Sequence, residues 1–236
     1  DLNEVSRQHA FNMNSEFVAT GVFPLMGVDG RSGEFNTLPL SNYTKNLGDL
    51  ARASGAGYAR DTQHYNSDTF NCLDYGLEDI ADQSNVRDAA RSFNSEAEAT
   101  RKNTYYVLQR QEVRVAALVF DSGTFTPTAV TTEWSTSATA TPFEDVQTLI
   151  QTVEDQNEGI IGMSQLVLTM SKKVYRNMLK TADMKGRFSG GNGAASVLQD
   201  PPKSVVAEIL NVDDILISGA KLNGVDIWDD EYVSLS

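Results

Sequence analysis

The chain has 236 residues, 40% of them hydrophobic and 8% aromatic, which is apolar material for one sizeable core or two small ones and too much for a disordered chain. A formal net charge of −13 excludes a protein whose main work is neutralising phosphates with Lys and Arg. The one cysteine, Cys72, excludes an intrachain disulfide and a thiolate-rich metal site, and no apolar run reaches the ~20 residues that a membrane helix needs.

No signal peptide is visible, though a chain that begins at Asp1 instead of Met is compatible with a leader or propeptide already removed. Residues 1–26 carry no clean helical or strand period and run into Gly27-Val-Asp-Gly30-Arg-Ser-Gly33, which reads as an arm and not as a core element. From Gly33 to about Phe70 the chain is rich in Gly, Asn, Ser and Thr, with short apolar pieces at Phe35, Leu38, Leu40 and Leu47. A stretch this long with so little core far exceeds the usual connection of about 4–6 residues. Tyr43, Tyr58, Tyr65, Phe70, Arg52 and Arg60 are not the composition of a flexible linker. The expectation is an extended hairpin loop ordered by neighbouring subunits.

From Ser95 to Phe120 an apolar stripe recurs at three- and four-residue spacing: Ala97, Thr100, Thr104, Val107, Leu108, Gln111, Val115 and Leu118. Asn94 or Ser95 caps this helix, Glu96 and Glu98 sit in its first turn, and Arg110 and Arg114 lie in its second half, as the helix dipole favours. About 26 residues at 1.5 Å each give roughly 39 Å, enough for a spine across a subunit.

Ser122 to Thr139 is a Thr/Ser-rich connection. Thr141-Pro142-Phe143-Glu144 then places a capping Thr, a Pro at the first helical position and a Glu three residues after the cap. Val146, Leu149, Ile150 and Val153 form that helix's apolar face. Leu166 to Thr169 reads as a short buried strand, and Ser171 caps a helix with Val174, Met178 and Leu179 inward and basic residues outward. Gly190-Gly-Asn-Gly193 is a flexible loop, Pro201-Pro202 precedes a short helix around Val205–Leu210, and Ile215 to Ile217 is the next strand. The order helix, strand, helix, helix, strand makes the class α+β.

Charge is unevenly placed. Between Val115 and Ser171 there are seven acids and no Lys or Arg; then come Lys172, Lys173, Arg176, Lys180, Lys185 and Arg187, broken by Asp183. Such patches can meet head-to-tail in a ring. Two solvated faces with no partner are the simpler reading, since exposed pairs contribute little.

Catalytic patterns are not found. His9 and His64 are the only histidines and sit in neither an HExxH nor a Cys/His pattern. Cys72 reads better as a small buried residue between Phe70 and Leu73 than as a nucleophile paired with His64. Ser164 lacks the following glycine of a nucleophile elbow, Gly186 to Gly193 lacks the Lys-Ser/Thr of a phosphate loop, and Gly55-Ala-Gly57 lacks the third glycine of a dinucleotide site. Asp226, Asp229, Asp230 and Glu231 could offer oxygens to a hard cation but have no EF-hand spacing, so a solvated acidic edge is expected. No catalytic, cofactor-binding or metal-ligating residue is assigned, no cofactor is expected, and the chain does not read as an enzyme.

The order of features resembles the major capsid proteins of tailed bacteriophages, the Hong Kong 97-type fold. Phe23-Pro24 through Val28-Asp29-Gly30-Arg31-Ser32-Gly33-Glu34-Phe35 looks like the passage from N-terminal arm to extended loop, and Tyr106-Val107-Leu108-Gln109-Arg110-Gln111-Glu112 like the spine helix. Trp134-Ser135 with Thr141-Pro142-Phe143-Glu144-Asp145-Val146 is similar to the junction into the axial domain. Leu166 to Thr169, Val174-Tyr175 and Leu179 are similar to the family's strand and next helix, and Val212 through Ile217 to Asp226-Ile227-Trp228 to its closing segment.

The resemblance implies an arm over residues 1–28, an extended loop over 29–72, a peripheral domain over 73–135 with its spine helix at about 95–120, an axial domain over 136–220, and a return segment over 221–236. It implies pentamers and hexamers closing an icosahedral phage head around double-stranded DNA, bound without sequence specificity. Scaffolding protein, portal and maturation protease are the implied partners. The implied location is a virion capsid assembled in the host cytoplasm, with no membrane. Asp1 suits a trimmed precursor, whereas relatives are expected to continue beyond Ser236 with further peripheral strands. Candidate inter-subunit contacts are Tyr43, Lys45, Arg52, Tyr58, Arg60, Lys172, Lys173 and Arg176. Lys45 is the only lysine of the loop, but no motif identifies a crosslinking partner. The alternatives are an encapsulin-like cellular compartment shell and a small cytoplasmic hydrolase using Cys72 or the acids near Asp229.

Overall fold

The computed structural model describes residues 4–8, 16–80, 95–156, 166–188 and 201–229. In chain order its elements are α1 (Ala19–Val22), β1 (Ser32–Thr37), a 3-10 turn (Leu40–Asn42), β2 (Asn66–Asn71), α2 (Ser95–Val119), α3 (Pro142–Gln156), β3 (Val167–Ser171), α4 (Lys172–Lys180), α5 (Ala182–Phe188), α6 (Lys203–Leu210), β4 (Asp214–Ser218), β5 (Lys221–Leu222) and β6 (Val225–Asp226). The fold is mixed α+β. Contacts divide it into two units, Met26–Asp74 with Thr152–Gly162, and the remainder.

In the smaller unit β1 and β2 pair antiparallel from Ser32↔Asn71 to Thr37↔Asn66. Gly33 faces Phe70 so closely that a Cβ would stand 2.9 Å from the ring, which is why a residue without a side chain sits there. Beyond the ladder the two limbs are tied by Asn42, whose side-chain amide donates to the His64 carbonyl at 2.7 Å and whose oxygen accepts the His64 N–H at 3.0 Å. The expected hairpin is therefore present, with a long excursion between its strands. Cys72, expected to be buried, is exposed.

The described residues of the larger unit form two cores. The first gathers Val146, Ile150, Met170, Met178, Met184, Val206, Leu210 and Ile215. α3 starts at Pro142, and the Phe143 N–H of its first turn donates to the Asp183 carboxylate of α5 at 3.2 Å; Leu149, expected inward, is 38% exposed. Its buried positions, Pro142, Val146 and Ile150, follow one another at four-residue spacing and line a narrower stripe than the sequence suggests.

β3 and β4 pair in parallel, Val167↔Asp214 through Ser171↔Ser218, joined by the crossover helices that parallel strands require. The β3 strand begins one residue later than expected and runs on to Ser171, with Val167 exposed and Met170 and Ser171 buried. Ser171 caps α4 as expected, accepting the Val174 N–H at 3.2 Å.

That helix does not run on through the basic block. It stops at Lys180, and Thr181, fully buried with extended backbone, caps both neighbours. Its hydroxyl donates to the Met178 carbonyl at 2.7 Å and accepts the Met184 N–H of α5 at 3.4 Å. α6 comes after Pro201-Pro202 and ends on Asn211 in the left-handed region, φ 58°. The expected Gly190 to Gly193 loop, the Asn94 cap and Ser164 lie outside the described residues.

The second core joins Phe17, Val18, Ala116, Ala220, Ile227 and Trp228. Residues 16–22, expected to be an arm and not a core element, thus supply buried side chains. A run this short has no period to betray it. The buried positions of α2 are Ala97, Gln109, Glu112 and Ala116, whereas Leu118, placed in the expected stripe, is 59% exposed. The stripe is rotated because its centre is a carboxylate, which hydrophobic spacing assigns to solvent.

Candidate assembly interface

Five of the sequence candidates lie on the excursion between β1 and β2. Lys45 is spent within that excursion: its amine donates to both Asp61 oxygens at 3.0 and 3.2 Å and to the Thr62 carbonyl at 2.9 Å. The same bond from Lys45 holds the Asp61 carboxyl below its usual range. Arg52 stacks over the Tyr58 ring at 4.6 Å. Tyr43 and Arg60 are exposed. Leu38, Leu47, Leu50 and Tyr65 are also exposed, so most of the apolar content of this excursion faces outward.

The other three candidates sit on α4. Lys172 reaches both Glu16 oxygens at 2.6 Å, Lys173 pairs with Asp229 at 3.1 Å, and Arg176 is exposed. Arg187 pairs with Asp183 at 3.0 Å and covers the Phe143 ring at 3.5 Å. Much of the basic block is thus answered inside the chain, and Arg176 is the α4 candidate for which no such partner is seen among the described residues.

The acidic stretch is used similarly. The Asp145 carboxylate accepts the Trp134 indole N–H at 2.8 Å. Asp121 turns the chain out of α2 by accepting the Thr124 hydroxyl and the Gly123 N–H, and these bonds lower its pKa. Asp226 pairs with Lys221 at 3.2 Å and Asp229 with Lys173; a solvated acidic edge is expected from the sequence, but Asp226 is buried. Asp230 and Glu231 lie outside the described residues. Among the described residues no three His, Cys, Asp or Glu side chains converge as a metal set, and no helix is long and apolar enough to cross a membrane.

Along α2 runs an open groove of about 420 Å³ between the segment at Tyr75 to Leu77 and the helix face of Tyr106, Arg110 and Arg114. Arg114 stacks on Tyr75 at 3.7 Å, and Asp79 bonds Lys102 at 2.5 Å, raising the pKa of that ammonium. The described residues that line the groove bring two tyrosine rings and two guanidinium groups together.

Sequence spacing missed Glu112, which is fully buried and accepts bonds from Val18, Ala19, Ser218 and Trp228. The signal was available: Tyr105, Leu108, Glu112, Ala116 and Val119 recur at helical spacing, with one carboxylate among four apolar positions.

No protein-family model and no curated protein matches the chain. Among solved structures it is similar to a phage-related protein of Bordetella bronchiseptica RB50, with TM-score 0.60 and 17% identity over 96% of this chain and 72% of that one. It also aligns with the capsid structure of Cyanophage P-SCSP1u, with TM-score 0.49 and 13% identity over 88% of this chain and 67% of that one. Over nearly its whole length, then, this α+β chain has the fold of that Bordetella protein.

Proposed function

We propose that the chain is a structural subunit of a phage-type shell, a major capsid protein that assembles with copies of itself into pentamers and hexamers around double-stranded DNA, and that it performs no catalysis. The observation that carries this reading is the smaller unit. A two-stranded hairpin is at best marginally stable alone, and this one exposes Leu38, Tyr43, Leu47, Leu50, Tyr58 and Tyr65. Neighbouring copies would supply the missing cover.

In this reading residues 1–28 are the arm, 29–72 the extended loop, 73–135 the peripheral domain with α2 as spine, 136–220 the axial domain and 221–236 the return segment. Tyr43, Arg52, Tyr58 and Arg60 face a neighbour through the loop, and Arg176 with Lys172 and Lys173 does so through α4. The net charge of −13 suits a wall that must not grip the DNA it encloses. Scaffold, portal and maturation protease are the expected partners, and the virion capsid the expected location.

Size-exclusion chromatography with negative-stain microscopy of the purified chain tests the reading. Rings, tubes or closed shells are expected. A strict monomer at high concentration would overturn it.

A further inference from the structure

Glu112 sits in the second half of α2 with its carboxylate wholly buried. Its Oε2 accepts the Ala19 N–H at 2.9 Å; its Oε1 accepts the Val18 N–H at 2.8 Å and the Trp228 indole N–H at 2.6 Å, and the Ser218 hydroxyl stands 3.2 Å from the same oxygen. No ion pair of the described residues includes it. A buried charge without a cation depends on its donors as a set, since losing one leaves the others to bear its desolvation.

Besides Glu112, the segment from Glu16 to Val22 is held by the packing of Phe17, Val18 and Val22 in the second core, with Phe17 against the Tyr105 ring at 5.7 Å. α1 is one turn, and only Phe17, Val18 and Ala19 are buried. The Glu16–Lys172 pair is about 40% exposed at both ends and contributes little. The Glu16 carbonyl accepts the Gly219 N–H at 3.1 Å and competes with Glu112 for the single Ser218 proton, 3.2 Å from each.

We propose that Glu112 is a two-ended clasp. It fastens the segment 16–22 and the segment from Ser218 to Trp228 to α2 as one coupled assembly, so that loosening either end loosens the other while the first core stays closed. Because Oε1 serves Val18, Ser218 and Trp228 together, withdrawing one donor lets the carboxylate turn away from the rest, and the coupling runs equally in both directions. The proposal goes beyond the shell reading and does not rest on it.

Peptide-resolved hydrogen exchange of the full chain tests it, comparing the parent with Glu112→Gln, Ser218→Ala and Trp228→Phe. In Glu112→Gln the amide nitrogen can only donate, so it must oppose one of the donors, and exchange in peptides over both 16–22 and 225–229 is expected to rise about tenfold. In Trp228→Phe and Ser218→Ala exchange over 16–22 is expected to rise while peptides of α3 and α4 keep the parental rate. Should Glu112→Gln fail to fold, the two other variants decide. Parental protection of 16–22 in Trp228→Phe and Ser218→Ala overturns the clasp, and so does equal acceleration of α3 and α4 in all three variants, since the segment would then open only with the whole unit.

Discussion

Thr181 shows how much one hydroxyl can settle. It ends α4 and begins α5 from a fully buried position, with both its donor and acceptor capacities used. Thr181→Val keeps the volume and removes the hydroxyl, leaving the Met184 N–H without this acceptor and the Met178 carbonyl without this donor. Its expected cost is about 1–3 kcal/mol, read from the midpoint of urea unfolding at unchanged slope. An unchanged midpoint would mean that the helix break is fixed by packing alone. Neither Thr181 nor Glu112 was legible as a buried group in the sequence, for the same reason. Spacing arguments sort side chains by polarity, and a polar group whose bonds are all satisfied inside the protein breaks that sorting without leaving a gap in the pattern.

At the scale of elements, those with chemical punctuation were the readable ones. Pro142 opens α3, Ser171 caps α4, and Pro201-Pro202 precedes α6; Ser171 and the prolines act on their own backbone, whereas the first turn of α3 also leans on Asp183, which accepts the Phe143 N–H at 3.2 Å. The faces of those elements were less legible. Leu149 and Leu118 turn outward although their spacing fits an inward stripe, since the inward direction depends on what packs opposite. Among the described residues the parallel pair of β3 and β4 is two strands wide and leans on Ile215, which is fully buried against the helices. Ile215→Ala is expected to cost about 2–5 kcal/mol in chemical denaturation, through lost transfer energy and the cavity left behind. A loss below about 1 kcal/mol would show that the surrounding methionines close the space, as their flexible side chains permit.

For the whole molecule, the α+β class and the hairpin could be read from composition and order, whereas the role of residues 16–22 in the second core could not, because their partners Ala116, Ala220, Ile227 and Trp228 are about a hundred or more residues away in the chain. The division into two units leads to a test of what the hairpin is for. Deleting residues 42–58 removes the Asn42 and Lys45 ties between the limbs but touches neither core of the larger unit. The expected result is a chain whose larger unit unfolds with the parental midpoint and which forms no particles by light scattering. Normal shells from the deletion would remove the loop from any part in assembly.

Cys72, at the foot of the hairpin, is the only thiol in the chain and is open to solvent. A maleimide dye would therefore attach at a single known place without any engineered mutation. The colour shift of a polarity-sensitive dye there would track, in real time and in the native sequence, whether that strand end stays wet or becomes covered as molecules come together.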